Sequence, residues 1–194
     1  VVLAAGAGSR MGMPKALVRD ADGTSWLVRS IEVLRAAGCE DVLVVLGARA
    51  EQARALVPVG VQVVVAHDWA DGMASSLRAG LHALGARDDE DGGDLAVVTL
   101  VDLPDVGPDV VRRVLAAASG PSALVRASYD LVPGHPVVLG RDHWAPIAGD
   151  VSGDEGAKGY LRRHGCALVE CGDLATGADQ DTPQPGSPPP GSCA

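Results

Sequence analysis

The chain has 194 residues and a formal charge of −9, and it is 47% hydrophobic but only 3% aromatic, with no Phe. That length suits one α/β domain with a full core and is short for two. The acidic balance argues against polymeric nucleic acid or an anionic membrane as the main partner, because both are repelled at long range.

A core of Val, Leu and Ala suits parallel strands covered by small-faced helices. Apolar β-branched runs recur at residues 1–4, 42–46, 61–66 and 95–101, and the stretches between the later ones carry helical periodicity. This alternation predicts βαβ units. Thr24 is expected to cap a helix whose apolar face reads Leu27, Ile31, Leu34 and which ends at Gly38. Asp71 or Gly72 opens another, with Met73, Leu77, Leu81 and Leu84 at three-to-four spacing before Gly85. The run RDDEDGGD reads as a solvated acidic loop, and helix returns around Pro108–Ala118. SALVRA and PVVLG read as strands separated by a turn region holding Tyr129-Asp130 and Pro133-Gly134. A short amphipathic helix is expected near Asp154–His164.

From Thr182 the chain reads TPQPGSPPPGSCA, a composition that builds no packed element. One domain over residues 1–181 with a disordered tail at 182–194 is therefore expected. No apolar run reaches the ~18 to 20 residues of a membrane span, and no charged leader precedes a signal-type core. The chain opens inside a strand-like run, so a residue or more before Val1 is expected. Cys39, Cys166, Cys171 and Cys193 lack the paired short spacing of a zinc site and are too few for a secreted disulfide scaffold. Packed thiols in a reducing cytoplasm are the reading, with Cys166 and Cys171 flanking a strand.

The opening stretch VVLAAGAGSRMGMPKAL holds the first candidate site. A strand that ends in glycines and feeds a turn presents backbone N–H groups to a phosphate without a Cβ in the way. Leu3, Ala4, Ala5, Gly6, Gly8, Ser9, Arg10, Met11, Gly12 and Lys15 form this loop. The Walker pattern needs Lys directly after its last Gly, and the dinucleotide fingerprint needs Gly where Met11 stands; neither fits. Pro14 bars a helix through the loop, so Lys15 is expected to swing back beside Arg10 over one polyphosphate. The plainer alternative is a glycine turn with two exposed basic residues. VDLPDV places Asp102 at the end of a parallel strand, where a carboxylate can ligate magnesium on phosphate oxygens or simply cap a turn.

These residues carry a resemblance. LAAGAGSRMGMPKAL resembles the signature loop of the small-molecule nucleotidyltransferases (MobA-like NTP transferases), and above all their molybdenum cofactor cytidylyltransferase branch. HDWADGMASSLRAGL is similar to a family segment near the nucleotide, matching Gly72, Ser75 and Ser76. GHPVVLG matches a Gly-His-Pro motif at His135 and Pro136, and SGDEGAK matches a further segment at Gly153, Asp154, Gly156 and Ala157, with Lys158 replacing the usual Arg. That swap keeps a cation and loses its bidentate fork. ADQDTP matches a late acidic motif at Asp179 and Asp181, after which the likeness stops at Gln184-Pro185.

The resemblance implies an α/β fold, the three-layer α/β/α Rossmann-like nucleotide-diphospho-sugar transferase fold with a mostly parallel sheet. It implies CMP transfer from CTP to a phosphorylated acceptor, a molybdenum-bearing pterin, with pyrophosphate released. Arg10, Lys15 and Asp102 would be catalytic, and Mg2+ would sit on Asp102 and Asp181, with Asp179 beside them. His135, Pro136, Gly153, Asp154, Gly156 and Lys158 would meet the acceptor. Ala5 in LAAG implies a cytidine donor, as LAGG accompanies guanosine. A molybdoenzyme or its chaperone is the implied partner of a cytoplasmic monomer or weak dimer. The rivals are a guanylyltransferase on the same fold, a repurposed redox enzyme for small aromatic compounds, and a cofactor-binding protein without catalysis.

Overall fold

The structure is a computed structural model that describes residues 1–87 and 93–181. Strands β1 (Val2–Ala4), β2 (Leu43–Leu46), β3 (Gln62–Val65) and β4 (Leu95–Leu100) alternate with helices α1 (Trp26–Ala36), α2 (Ala50–Arg54) and α3 (Met73–Gly85). Helix α4 (Pro108–Ala116) then leads into a hairpin of β5 (Leu124–Tyr129) and β6 (Val132–Gly140). Helices α5 (Trp144–Asp150) and α6 (Lys158–His164) precede the edge strand β7 (Ala167–Glu170).

The sheet order is β3-β2-β1-β4-β6-β5-β7, and β6 alone runs against its neighbours. Side chains alternate across each strand. Val2 and Ala4 therefore join the core under α1 and α4, while Leu3 joins the opposite core under α3, α5 and α6. Leu27, Ile31 and Leu34 of α1 fill the first core as their spacing predicts, and Leu77, Leu81 and Leu84 of α3 fill the second. The result is the expected three-layer α/β/α arrangement. Among the described residues, no helix is long and apolar enough to cross a membrane.

Local details depart from the sequence expectations. Ser25, not Thr24, caps α1: its hydroxyl accepts from the Val28 N–H at 3.5 Å. Thr24 is already committed, because its own N–H donates to Asp22 Oδ1 and its carbonyl accepts from Asp20. The turn between β5 and β6 is only Asp130-Leu131, both at positive φ, so Tyr129 and Pro133-Gly134 belong to the strands. Two left-handed residues match the twist of a tight hairpin. Glu170 secures it from β7 by accepting from Ser128 Oγ and from the N–H groups of Asp130, Leu131 and Gly172. The last amphipathic helix begins at Lys158, later than expected. Cys39, Cys166 and Cys171 carry free thiols. Most of the acidic loop (88–92), the tail (182–194) and Cys193 lie outside the described residues.

Candidate functional site

Strands β1 and β4 pair in parallel, with Leu3 opposite Leu100, so the loops leaving their carboxyl ends emerge side by side. Here the strand order also reverses, from 3-2-1 to 4, which opens a crevice at the sheet's carboxyl edge. A cleft of about 480 Å³ occupies it. Leu3, Ala4, Ala5, Gly6, Gly8, Ser9, Arg10, Met11, Lys15, Gly72, Ser76, Asp102, Asp154 and Asp181 all line this cleft. Gly8 has φ +62, and a Cβ there would stand 2.0 Å from the Met13 carbonyl oxygen. Only glycine lets the loop fold back on itself at that point.

Gly12 and Ser75 do not line the cleft. The Ser75 hydroxyl donates to the Gly72 carbonyl at 2.8 Å and is spent on the first turn of α3. The Gly153 carbonyl accepts from the Ala74 N–H at 2.9 Å, which ties the 153–158 segment to that helix start. Gly153 and Pro136 line neither this cleft nor the pocket beside it.

Asp102, Asp181, Arg10 and Lys15 meet in the cleft, and a third carboxylate, Asp179, stands beside them at the adjoining pocket. The backbone N–H of Gln180 donates to the Asp102 carbonyl at 2.9 Å, which holds residues 179–181 beside the end of β4. The Thr176 N–H and hydroxyl both donate to Asp105 Oδ2 at 2.6 Å and anchor the same segment one step earlier. Oxygens of Asp102, Asp179 and Asp181 come within 4.8 Å of one another. Lys15 Nζ donates to Asp102 Oδ2 at 2.5 Å and to Asp181 Oδ1 at 2.7 Å, and Arg10 pairs with Asp181. Both cations converge on Asp181, and Lys15 reaches Asp102 as well.

Burial works against the Lys15 ammonium, but its hydrogen bonds to Asp102 and Asp181 outweigh that and raise its pKa above the usual lysine value. The Lys15 hydrogen bond in turn holds Asp181 below the usual carboxylate range. The acids Asp102, Asp154, Asp179 and Asp181 outnumber Arg10 and Lys15, so a polyphosphate entering this cleft needs further positive charge. A divalent cation fits. Asp102 Oδ1 is buried with no hydrogen-bond partner among the described residues, and an orphaned carboxylate oxygen beside two further acids is a hard-cation donor set.

A second pocket of about 280 Å³ adjoins the first across Leu3, Met73 and Leu100. His135, Gly156 and Lys158 line it, as does Asp179. Burial, reinforced by the positive charges of Arg126 and Lys158, lowers the His135 imidazole to about 4. His135 is therefore a neutral hydrogen-bonding group at pH 7.

Sequence reading missed three contributors. Arg126 reads as one letter of an apolar strand, yet its guanidinium donates twice to the Gly134 carbonyl, at 3.1 and 2.9 Å, and lines the second pocket. The only available signal was a charge in an otherwise apolar strand. Tyr129 donates to the His135 carbonyl at 2.6 Å, and its ring lies where a Cβ on Gly134 or Gly177 would be. Trp69 lines the first cleft and packs where Gly47 has no side chain.

The family description "MobA-like NTP transferase domain" matches residues 1–168. The chain is 37% identical over 195 residues to a protein of Paenarthrobacter nicotinovorans named nicotine blue oxidoreductase, covering 94% of this chain and 91% of that one. It is 33% identical over 129 residues to a probable molybdenum cofactor guanylyltransferase of Rhodopirellula baltica, covering 66% of this chain and 59% of that one. The structure of Rv0371C from Mycobacterium tuberculosis in complex with manganese superposes with a TM-score of 0.71 at 27% identity, over 92% of this chain and 91% of that one.

Two outcomes are expected. Gly177 has φ +64, and a Cβ there would stand 2.0 Å from the Tyr129 ring. Gly177→Ala should displace the 176–181 segment and break the Gln180–Asp102 backbone hydrogen bond, read as faster hydrogen exchange of the Gln180 amide, with the circular dichroism unchanged. Separately, an unfolded chain binds a proton on His135 below about pH 6.5, whereas the folded one refuses it down to about 4. Between those values stability rises with pH. Acidification from pH 7 to 5 should cost the wild type about 1 to 2 kcal/mol more than His135→Gln in urea unfolding. Equal losses would show that the imidazole does not titrate this way.

Proposed function

The chain belongs to the MobA-like NTP transferase family, and on that premise we propose that it transfers CMP from CTP to a phosphate-bearing acceptor of the pterin class, releasing pyrophosphate. One observation carries this reading. A glycine-turn loop bearing Arg10 and Lys15 faces Asp102 and Asp181 across a single cleft at the sheet's switch point, with Asp179 within 4.8 Å of both acids.

In this reaction an oxygen of the acceptor phosphate bonds to the α-phosphorus as the bond to the bridging oxygen breaks, and the electron pair leaves on pyrophosphate. Both reactants are polyanions, so positioning and charge neutralisation dominate. Backbone N–H groups of the 5–12 loop hold the β and γ phosphates, while Arg10 and Lys15 meet the charge that grows on the leaving group. Asp102 and Asp181, with Asp179 adjoining, would hold a divalent cation, read as Mg2+, which would supply Lewis acidity and charge neutralisation toward the phosphates. No general base is required, because the acceptor phosphate is already ionised. Neutral His135 offers the acceptor a hydrogen bond without adding charge.

Ala5, buried at the start of the loop, supports a cytidine donor through the family resemblance. The guanylyltransferase relative makes GTP the alternative within the same chemistry. A cytoplasmic setting, and hand-over of the product to a molybdoenzyme or its chaperone, belong to the same reading. The 37% identity to a protein named as an oxidoreductase favours a second reading, reduction or oxidation of a small aromatic compound in the same cleft.

Pyrophosphate release measured side by side with CTP and GTP, in the presence of Mg2+ and a molybdopterin-type acceptor, is expected with CTP. Release with GTP alone would move the donor assignment. Silence with both, accompanied by a change in nicotinamide absorbance, would establish the redox reading instead. Asp102→Asn should lower turnover about 100-fold or more without shifting the melting temperature, whereas retained turnover would remove the metal role. Lys15→Met should weaken nucleotide binding, read by titration calorimetry.

A further inference from the structure

Arg126 is only 8% exposed and forms no ion pair among the described residues. Its Nε and Nη2 both donate to one neutral acceptor, the Gly134 carbonyl, and Nη1 hydrogen-bonds to no described residue. Burial lowers its pKa below the usual guanidinium value, and no carboxylate offsets that. A buried charge without a countercharge costs several kcal/mol, and a neutral donor would hold the Gly134 carbonyl without that cost. The full charge therefore needs another purpose.

The pocket beside it supplies one. Leu77, Val98, Val137, Leu139 and Leu161 give it apolar walls, and Lys158 adds a second cation. His135 stays neutral there, and Glu155 and Asp179 complete the polar lining. A chamber of about 280 Å³ with aliphatic walls and a guanidinium that forms no ion pair among the described residues fits a small, flat molecule bearing one anionic group. We propose that Arg126 is the anion-binding residue of the second pocket and that the acceptor carries a phosphate or carboxylate which it pairs. This deepens the transferase reading and rests on it for the word acceptor.

The test uses the full chain without nucleotide or metal, with phenyl phosphate, benzoate and neutral benzyl alcohol as probes. Binding is followed by NMR at the Arg126 Nε–H and the His135 imidazole. Saturable shifts in the millimolar range with either anion, and none with benzyl alcohol, are expected. Phenyl phosphate acting alone assigns the pocket to phosphates, and benzoate acting alone to carboxylates. Arg126→Gln, which keeps a donor for the Gly134 carbonyl, should lose about tenfold or more in affinity, and Arg126→Lys should retain part of it. Arg126→Gln with a lower melting temperature but unchanged probe affinity would overturn the proposal, leaving Arg126 a structural clamp. Absence of any saturable shift in the wild type would overturn it as well. Probe binding by a chain that releases no pyrophosphate would remove the transferase reading and leave the anion pocket standing.

Discussion

The parallel pairing of β1 with β4 is the constraint on which the rest of the site depends. These strands are separated by 90 residues of chain, yet their register places Leu3 beside Leu100. The glycine loop and Asp102 then leave the sheet at the same edge and in the same direction. The apolar faces of α1 and α3, packed on opposite sides, fix that pairing, because neither core closes unless both strands stay central. The loops inherit a rigid base from two buried layers.

Charge then decides how the cleft is arranged. Residues 176–181 are drawn to the end of β4 by Asp105 and by the Asp102 carbonyl, which forces Asp179 and Asp181 close to a third acid. Crowded carboxylates repel, and Lys15 and Arg10 relieve that repulsion by pairing with them. The cations that could meet a polyphosphate are thus the ones that hold the acids together. A ligand that takes over either side of this network changes the other, because Lys15 and Arg10 are shared between them.

The two pockets differ in kind. The first is built mainly from loops at the sheet's edge, while the second draws aliphatic side chains from α3, β4, β6 and α6 together with Arg126, His135, Glu155, Lys158 and Asp179. A fold that sets a glycine loop and a side-chain-walled pocket next to each other can vary the second without rebuilding the first.

Much of this was legible in the order of residues. Strand and helix periods, the glycine loop and Asp102 at a strand end each have a local physical cause, whether hydrophobic spacing, absence of a Cβ or a proline stop, while the Asp179/Asp181 pair was legible only through the family resemblance. Local signals also erred where two local bonds competed, as when the Asp22 turn took Thr24 and left Ser25 to cap α1. Sequence alone therefore determined the α/β/α class and the residue types able to bind an anion and a cation. Tertiary structure alone decided that Lys15 lies between Asp102 and Asp181, that Tyr129 supports both His135 and Gly177, and that Arg126 faces a pocket. The reason is physical: those contacts join segments far apart in the chain, and their geometry comes into being only when two cores close on one sheet.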